Sequence, residues 1–132
     1  MLYLDSNIFI IAILETKTGK GARARALLKK ISSGAQKACT SYLTWDEIIW
    51  SVQKLRGRQS ALEASKAFLQ MPNLRLLDVD GMIIRRAAVL METHGINPRD
   101  AIHASSAISV GADMLSEDSD FDKLKGLKRR SL

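Results

Sequence analysis

The chain has 132 residues, 46% apolar and 26% charged, with 20 Lys and Arg against 14 Asp and Glu for a net charge of +6. That size and balance fit one soluble α/β-sized domain over residues 1–132, able to bury a core without covalent staples. The single cysteine, Cys39, excludes an internal disulfide and leaves no zinc spacing, and no apolar run approaches the roughly 20 residues a bilayer crossing needs.

Leu2-Tyr3-Leu4 is a short apolar run ending at Asp5-Ser6-Asn7, the pattern of a strand that stops at a polar turn. Ile8 to Leu14 resumes as an apolar helix. No basic segment precedes it as a signal peptide requires, so the expectation is a cytoplasmic protein with no membrane contact. Residues 20–33 predict a basic amphipathic helix with Ala24, Leu27, Leu28 and Ile31 on one stripe, ended by Ser32-Ser33-Gly34. Lys37 to Thr40 is a second short strand, in which Cys39 reads as a buried, inert thiol.

From Thr44, Ile48, Ile49, Val52 and Leu55 share a helix face that Gly57 closes, and residues 60–70 form a further helix stopped by Met71-Pro72-Asn73. Leu74 to Leu77 is a third strand. Asp78 to Asp80 open a helix carrying Ile83, Ile84, Ala87, Leu90 and Met91, which ends at His94-Gly95. Asn97-Pro98-Arg99-Asp100 is a helix start with Asn as the cap, Pro at the first helical position and Asp in the first turn. That helix runs to Gly111. Asp113 to Ser116 is a fourth strand, and Leu127 to Arg129 a final edge strand. Strands alternating with helices imply crossover connections, hence a parallel sheet with helices on both faces.

Charge is unevenly spread. Lys17, Lys20, Arg23, Arg25, Lys29 and Lys30 crowd one segment, Lys54, Arg56 and Arg58 a second, and Lys123, Lys125, Lys128, Arg129 and Arg130 a third. A basic surface favours a polyanionic partner. The acids gather instead in short clusters, Asp46-Glu47, Asp78 with Asp80, and Glu117 to Asp122.

Ligands of an open parallel sheet sit beyond the carboxyl ends of its strands. Asp5 ends the first strand, Asp118 lies two residues past Ser116, and Asp100 and Glu47 stand in the first turns of helices. Four acids far apart in sequence can therefore meet at one edge. Carboxylates sharing a pocket raise each other's pKa, and a divalent cation relieves the conflict. Oxygen ligands suit Mg2+ or Mn2+. On a phosphodiester such an ion activates and orients water and neutralises the leaving oxygen, chemistry that needs neither His nor Cys. Each acid also has a structural reading: Asp5 and Asp118 as turn or cap residues, Glu47 and Asp100 as first-turn acids complementing the helix dipole.

The set of positions resembles a known family, the PIN domain, and within it the VapC-type toxins of toxin–antitoxin pairs. Leu4-Asp5-Ser6-Asn7-Ile8-Phe9 resembles the first motif of the family. Ser41-Tyr42-Leu43-Thr44-Trp45-Asp46-Glu47 is similar to the second, Arg99-Asp100-Ala101-Ile102-His103-Ala104 to the third, and Leu115-Ser116-Glu117-Asp118-Ser119-Asp120-Phe121 to the fourth. Ser6 and Ser116 stand where Thr is commoner, a change that keeps the hydroxyl. The resemblance covers essentially the whole chain. It implies a three-layer sandwich around a five-stranded parallel sheet, Mg2+ or Mn2+ bound by Asp5, Glu47, Asp100 and Asp118, and endonucleolytic cleavage of RNA. It further implies a homodimer and a small VapB-like antitoxin whose tail enters the groove.

Within that pattern Asp46 competes with Glu47 for the second motif's acid, and motif spacing selects Glu47. Asp120 is an outer candidate for a second metal or a water, whereas Asp122 reads as solvated surface. Ser6, Asn7 and Ser116 are candidate donors orienting the carboxylates, with a plain turn role as the alternative. His103, at i+3 from Asp100, reads as a packing or hydrogen-bonded histidine. Trp50 lies off the apolar stripe and is either core or part of a dimer or antitoxin surface. Three other functions stay open. One is an RNA-processing PIN nuclease without an antitoxin, and another a non-catalytic basic RNA-binding module. The third is a phosphotransferase with Asp5 as nucleophile, which wants a second Asp where Asn7 stands and a Gly-rich loop the chain lacks.

Overall fold

In a computed structural model describing all residues from 1 to 132, the five expected strands form one sheet. They are β1 (Leu2–Leu4), β2 (Ala38–Ser41), β3 (Leu74–Leu77), β4 (Asp113–Leu115) and β5 (Arg129–Arg130). Their order is β3-β2-β1-β4-β5, and every neighbouring pair is parallel. Five α-helices make the crossovers: α1 (Ser6–Leu14), α2 (Gly19–Ser32), α3 (Leu43–Leu69), α4 (Gly81–His94) and α5 (Pro98–Ser109). A 3-10 turn, Ser119–Lys123, joins β4 to β5.

Period-two alternation divides the strands between two cores. Tyr3, Cys39 and Met114 face one apolar cluster with Ala87 of α4 and Ala101, Ala104 and Ala107 of α5. Their neighbours Leu4, Ala38 and Leu115 face the other, with Ile8 and Phe9 of α1, Ile31 of α2 and Ile48, Val52 and Phe68 of α3. The sheet is thus covered on both sides, giving the α/β sandwich expected from the alternation of elements. Small alanines at three-residue steps let α5 lie close on the sheet. Every buried side-chain polar atom has a hydrogen-bond partner. Burial pushes the Cys39 thiol up to about 11, consistent with an inert core residue.

Gly57 ends the first helical stretch of α3, as expected: its φ of 84° and ψ of 175° are not helical, and a second stretch follows to Leu69. A left-handed φ there needs no Cβ, so the chain bends and the helix resumes. The last strand is Arg129–Arg130, displaced past Leu127, whose side chain is buried in the core. Asn97 precedes α5 with extended backbone, but its side chain makes no capping bond; Pro98 alone marks the start. No helix is long and apolar enough to cross a membrane.

Candidate active site

The strand order reverses direction at β1, with β2 and β3 to one side and β4 and β5 to the other. Such a switch point opens a crevice beyond the carboxyl ends of the two strands concerned. Asp5 follows β1 at that place, and Ser116 to Asp120 follow β4. Asp100 enters from the first turn of α5, on one face of the sheet, and Glu47 from the start of α3, on the other.

Asp5 is buried at the N-cap position of α1, where its side chain makes no capping bond. Its carboxylate accepts instead from the Ser116 hydroxyl at 2.5 Å, the Asn7 amide at 2.8 Å and the Ser6 hydroxyl at 3.3 Å. Asn7 also donates to Ser116 Oγ at 3.0 Å, and Ser116 Oγ accepts the Asp118 backbone N–H at 3.0 Å. The structure thus places Ser6, Asn7 and Ser116 as donors around the Asp5 carboxylate and Asp118 next to them. Burial raises the Asp5 carboxyl above its ordinary value, opposed by the nearby His103 and the Ser116 hydrogen bond.

Asp118 caps the 3-10 turn by accepting the Asp120 N–H at 2.9 Å. That turn carries Asp120 inward. Carboxylate oxygens of Asp100, Asp118 and Asp120 all lie within 4.8 Å of one another. Asp120, read from sequence as an outer candidate, therefore belongs to the tightest acidic group, which Asp5 and Glu47 do not join. Asp122 is exposed but not merely solvated: Arg129 grips both its oxygens, at 2.8 and 2.9 Å, and donates to the Ser116 carbonyl at 2.9 Å. One arginine of β5 so braces the acidic loop.

The choice between Asp46 and Glu47 is visible in the fold. Asp46 is exposed and meets Arg99 at 3.5 Å, whereas Glu47 is largely covered and bonded to His103 Nε2. Two threonines hold the start of α3 in place, Thr44 lying 2.6 Å from Thr40, whose hydroxyl donates to the Leu4 carbonyl at 2.7 Å. Glu47, Asn97, Pro98, Arg99 and Asp100 line a polar cleft of about 450 Å3.

Asp100 is pushed up to about 6, first by desolvation, then by the charges of Asp118, Asp5 and Glu47, with His103 opposing. Several acids crowding the Asp100 carboxyl make a donor set suited to a hard cation: oxygen ligands of one sign, held together by the fold rather than by counter-charges. The neighbouring positive charge is sparse. Lys123 reaches Asp120 at 3.1 Å from the exposed side, and His103 sits beneath Asp5 and Glu47.

Sequence reading missed Tyr3 and Ser41. The Tyr3 hydroxyl lies 2.8 Å from His103 Nδ1 and 2.9 Å from Ser41 Oγ. The signal was present: Tyr3 is two residues before Asp5 and so shares its side of the strand.

Solved structures with this fold include VapBC2 of Rickettsia felis bound to a DNA fragment from its promoter, with a TM-score of 0.73 and 21% identity over 99% of this chain and 98% of that one. VapC20 of Mycobacterium tuberculosis, described as a toxin cleaving the sarcin-ricin loop, matches with a TM-score of 0.76 at 15% identity over 92% and 93%. FitAcB of Neisseria gonorrhoeae matches with a TM-score of 0.73 at 20% identity over 98% and 96%. No curated protein sequence matches the chain. The family model for the PIN domain matches residues 2–127, and with nearly the whole chain so covered, this protein belongs to the PIN domain family of nucleases.

Proposed function

We propose that the chain is a Mg2+- or Mn2+-dependent endoribonuclease and the toxin of a VapBC-type toxin–antitoxin pair. One observation supports the reading: acids from four separate elements face the β1/β4 switch point, and Asp118, Asp5 and Glu47 add to the burial that raises the Asp100 carboxyl. Asp5, Glu47, Asp100 and Asp118 are the residues that would hold the ion, with Asp120 beside them. When bound, the ion supplies Lewis acidity and a water of lowered pKa.

The chain's own residues do the rest. Ser6, Asn7 and Ser116 turn the Asp5 oxygens to a fixed direction. Arg129 holds the loop that positions Asp118 and Asp120. Arg99, on the cleft wall and exposed, offers a guanidinium to a backbone phosphate. The net charge of +6 favours a nucleic acid over a small phosphate ester. RNA rather than DNA is favoured by the resemblance of the four motifs to VapC-type toxins, alongside a fold neighbour described as a sarcin-ricin loop cleaving toxin. The same reading places the protein in the cytoplasm with its substrate.

A VapB-like partner is supported by a second hollow, about 440 Å3, between α1, α2 and α3. Phe9, Ile48, Val52 and Phe68 line it, with Arg25, Arg56 and Glu63 among them, so an apolar segment with charged flanks fits there. Self-association is supported by α3, which leaves Trp50 and Leu55 about two-thirds exposed.

The test is cleavage of labelled RNA by the purified protein in Mg2+, in Mn2+ and in EDTA, alongside Asp5→Asn and Asp118→Asn. Cleavage in either metal, abolished by EDTA and reduced at least about 100-fold by each substitution, is expected. Cleavage that survives EDTA or either substitution overturns the metal–carboxylate mechanism.

A further inference from the structure

We propose that His103 is a positioning residue that locks Glu47 into one arrangement by bridging the two helical layers above the sheet edge. The inference rests on the metal–carboxylate reading and deepens it. His103 is completely buried, in the part of α5 that also carries Asp100. Its Nε2 is hydrogen-bonded to Glu47 Oε1 and lies 3.7 Å from Asp5 Oδ1. Its Nδ1 meets the Tyr3 hydroxyl at 2.8 Å, and the two rings pack edge to face with centroids 5.8 Å apart. Tyr3 in turn lies 2.9 Å from Ser41 Oγ and accepts the Ser41 backbone N–H at 3.2 Å.

Both ring nitrogens are therefore engaged, one by an acid of the cleft and one by a hydroxyl anchored to β2. No lone pair remains for an ion, so the imidazole is not itself a ligand. What it can do is fix a carboxylate. Glu47 stands on α3, on the opposite face of the sheet from α5, and its side chain has several rotatable bonds. Without a tether, its free oxygen would sample positions well beyond the fraction of an ångström that a metal site tolerates. The His103 bond removes that freedom, and the Tyr3–Ser41 pair removes the ring's own. This is the outer-shell arrangement in which a ligand's partner orients it, where loss of the partner typically costs about 10–100-fold in metal affinity.

The experiment is Mn2+ binding to the full-length protein by titration calorimetry, with thermal melting of each metal-free variant as a control on folding. His103→Leu keeps much of the volume and removes both nitrogens; it is expected to weaken Mn2+ binding by about 10–100-fold. His103→Gln places an amide N–H where Nε2 stands and is expected to recover most of that loss. Tyr3→Phe keeps the ring in the core, cuts only the outer tie and is expected to give a smaller loss of the same sign. Because His103 acts through Glu47, the double variant Glu47→Ala/His103→Leu should bind no more weakly than Glu47→Ala alone. Wild-type affinity in both His103→Leu and Tyr3→Phe, or losses that add in the double variant, overturns the positioning role while leaving the metal site standing. A wild-type protein that takes up no Mn2+ overturns the metal reading itself, and this inference with it.

Discussion

Two hollows of nearly equal size, about 450 and 440 Å3, lie on either side of one helix and have opposite chemistry. The first, at the carboxyl edge of the sheet, is walled by Glu47, Asn97, Pro98, Arg99 and Asp100. The second, between α1, α2 and α3, is walled mainly by apolar side chains. Helix α3 serves both: Glu47 points to the cleft while the next residue, Ile48, lies in the apolar hollow and its core. Adjacent helical residues point about 100° apart, so one helix can divide its faces between chemistry and recognition. The cleft is built from groups that repel each other and gain from a ligand. The apolar hollow is built from groups that already stabilise the fold and gain further by being covered. Substitutions in the two should therefore move stability in opposite directions.

The largest effect is expected in the apolar hollow. Phe68 is 3% exposed and meets Phe9 edge to face at a centroid distance of 5.4 Å and 83°. Phe68→Ala removes a buried aromatic and its ring contact, at a cost of about 3–5 kcal/mol in chemical denaturation. The cleft shares no hydrogen bond with Phe68, so Mn2+ affinity measured below the melting range should stay within about twofold. A parallel loss of ion binding would show that the two hollows are one cooperative unit.

A smaller effect is expected at the joint between them. Gly57 lies between the half of α3 that carries Glu47 and the half that carries Ser60, Ala64 and Phe68 of the hollow. Nothing lies within 4 Å of the position a Cβ would take, so Gly57→Ala has only the backbone penalty of φ 84° to bear. That strain is about 1–3 kcal/mol. Relief by straightening the kink would carry residues 58–69 away from α1, and partner affinity should fall more than ion affinity. Equal losses in both assays would make the kink a feature of the whole fold rather than of the hollow.

How much of this was legible in the sequence follows the range of the interactions. The strands, the two faces of the sheet and the placing of Asp5, Asp100 and Asp118 rest on local alternation and on helix starts, and these are where they were expected. Glu47 was separable from Asp46 only by motif spacing, because one helical residue decides which acid is buried and the apolar stripe does not distinguish them. Gly57 was legible as a stop because a positive φ favours glycine locally, whereas the packing of both stretches of α3 on one core, through Ile48, Val52 and Phe68, is tertiary and leaves no local trace. The nearness of Asp120 to Asp100 and Asp118 was not legible, because it depends on a 3-10 turn capped by Asp118 that leaves no periodic trace. Trp50 is exposed rather than core, as its place off the stripe allowed. The Tyr3–His103 contact spans 100 residues of sequence and depends on the crossover that lays α5 on β1.

The smallest effect is in the cleft, and its sign is opposite. Asp100 is pushed up to about 6 by desolvation and by Asp118, Asp5 and Glu47, whereas in the unfolded chain it titrates near its ordinary value of 3.8. Between these values the folded protein holds a proton the unfolded chain has lost, so stability falls as pH rises through that window. Above about pH 6 the penalty is fully present; below about 3.8 it is absent. Asp100→Asn removes the charge and should stabilise the metal-free protein at pH 7.5. Asp100 is half-exposed, and screening by solvent holds the gain to about 1 kcal/mol, roughly 3 °C in melting temperature for a domain of this size. The gain should vanish below about pH 3.8, where the native carboxyl is protonated in the folded and unfolded chain alike. Added Mg2+ should raise the melting temperature of the native protein and leave that of Asp100→Asn nearly unchanged. A variant less stable than the native protein at pH 7.5 without metal would mean that Asp100 is held by favourable contacts, as Phe68 is, and the contrast between the two hollows would be lost.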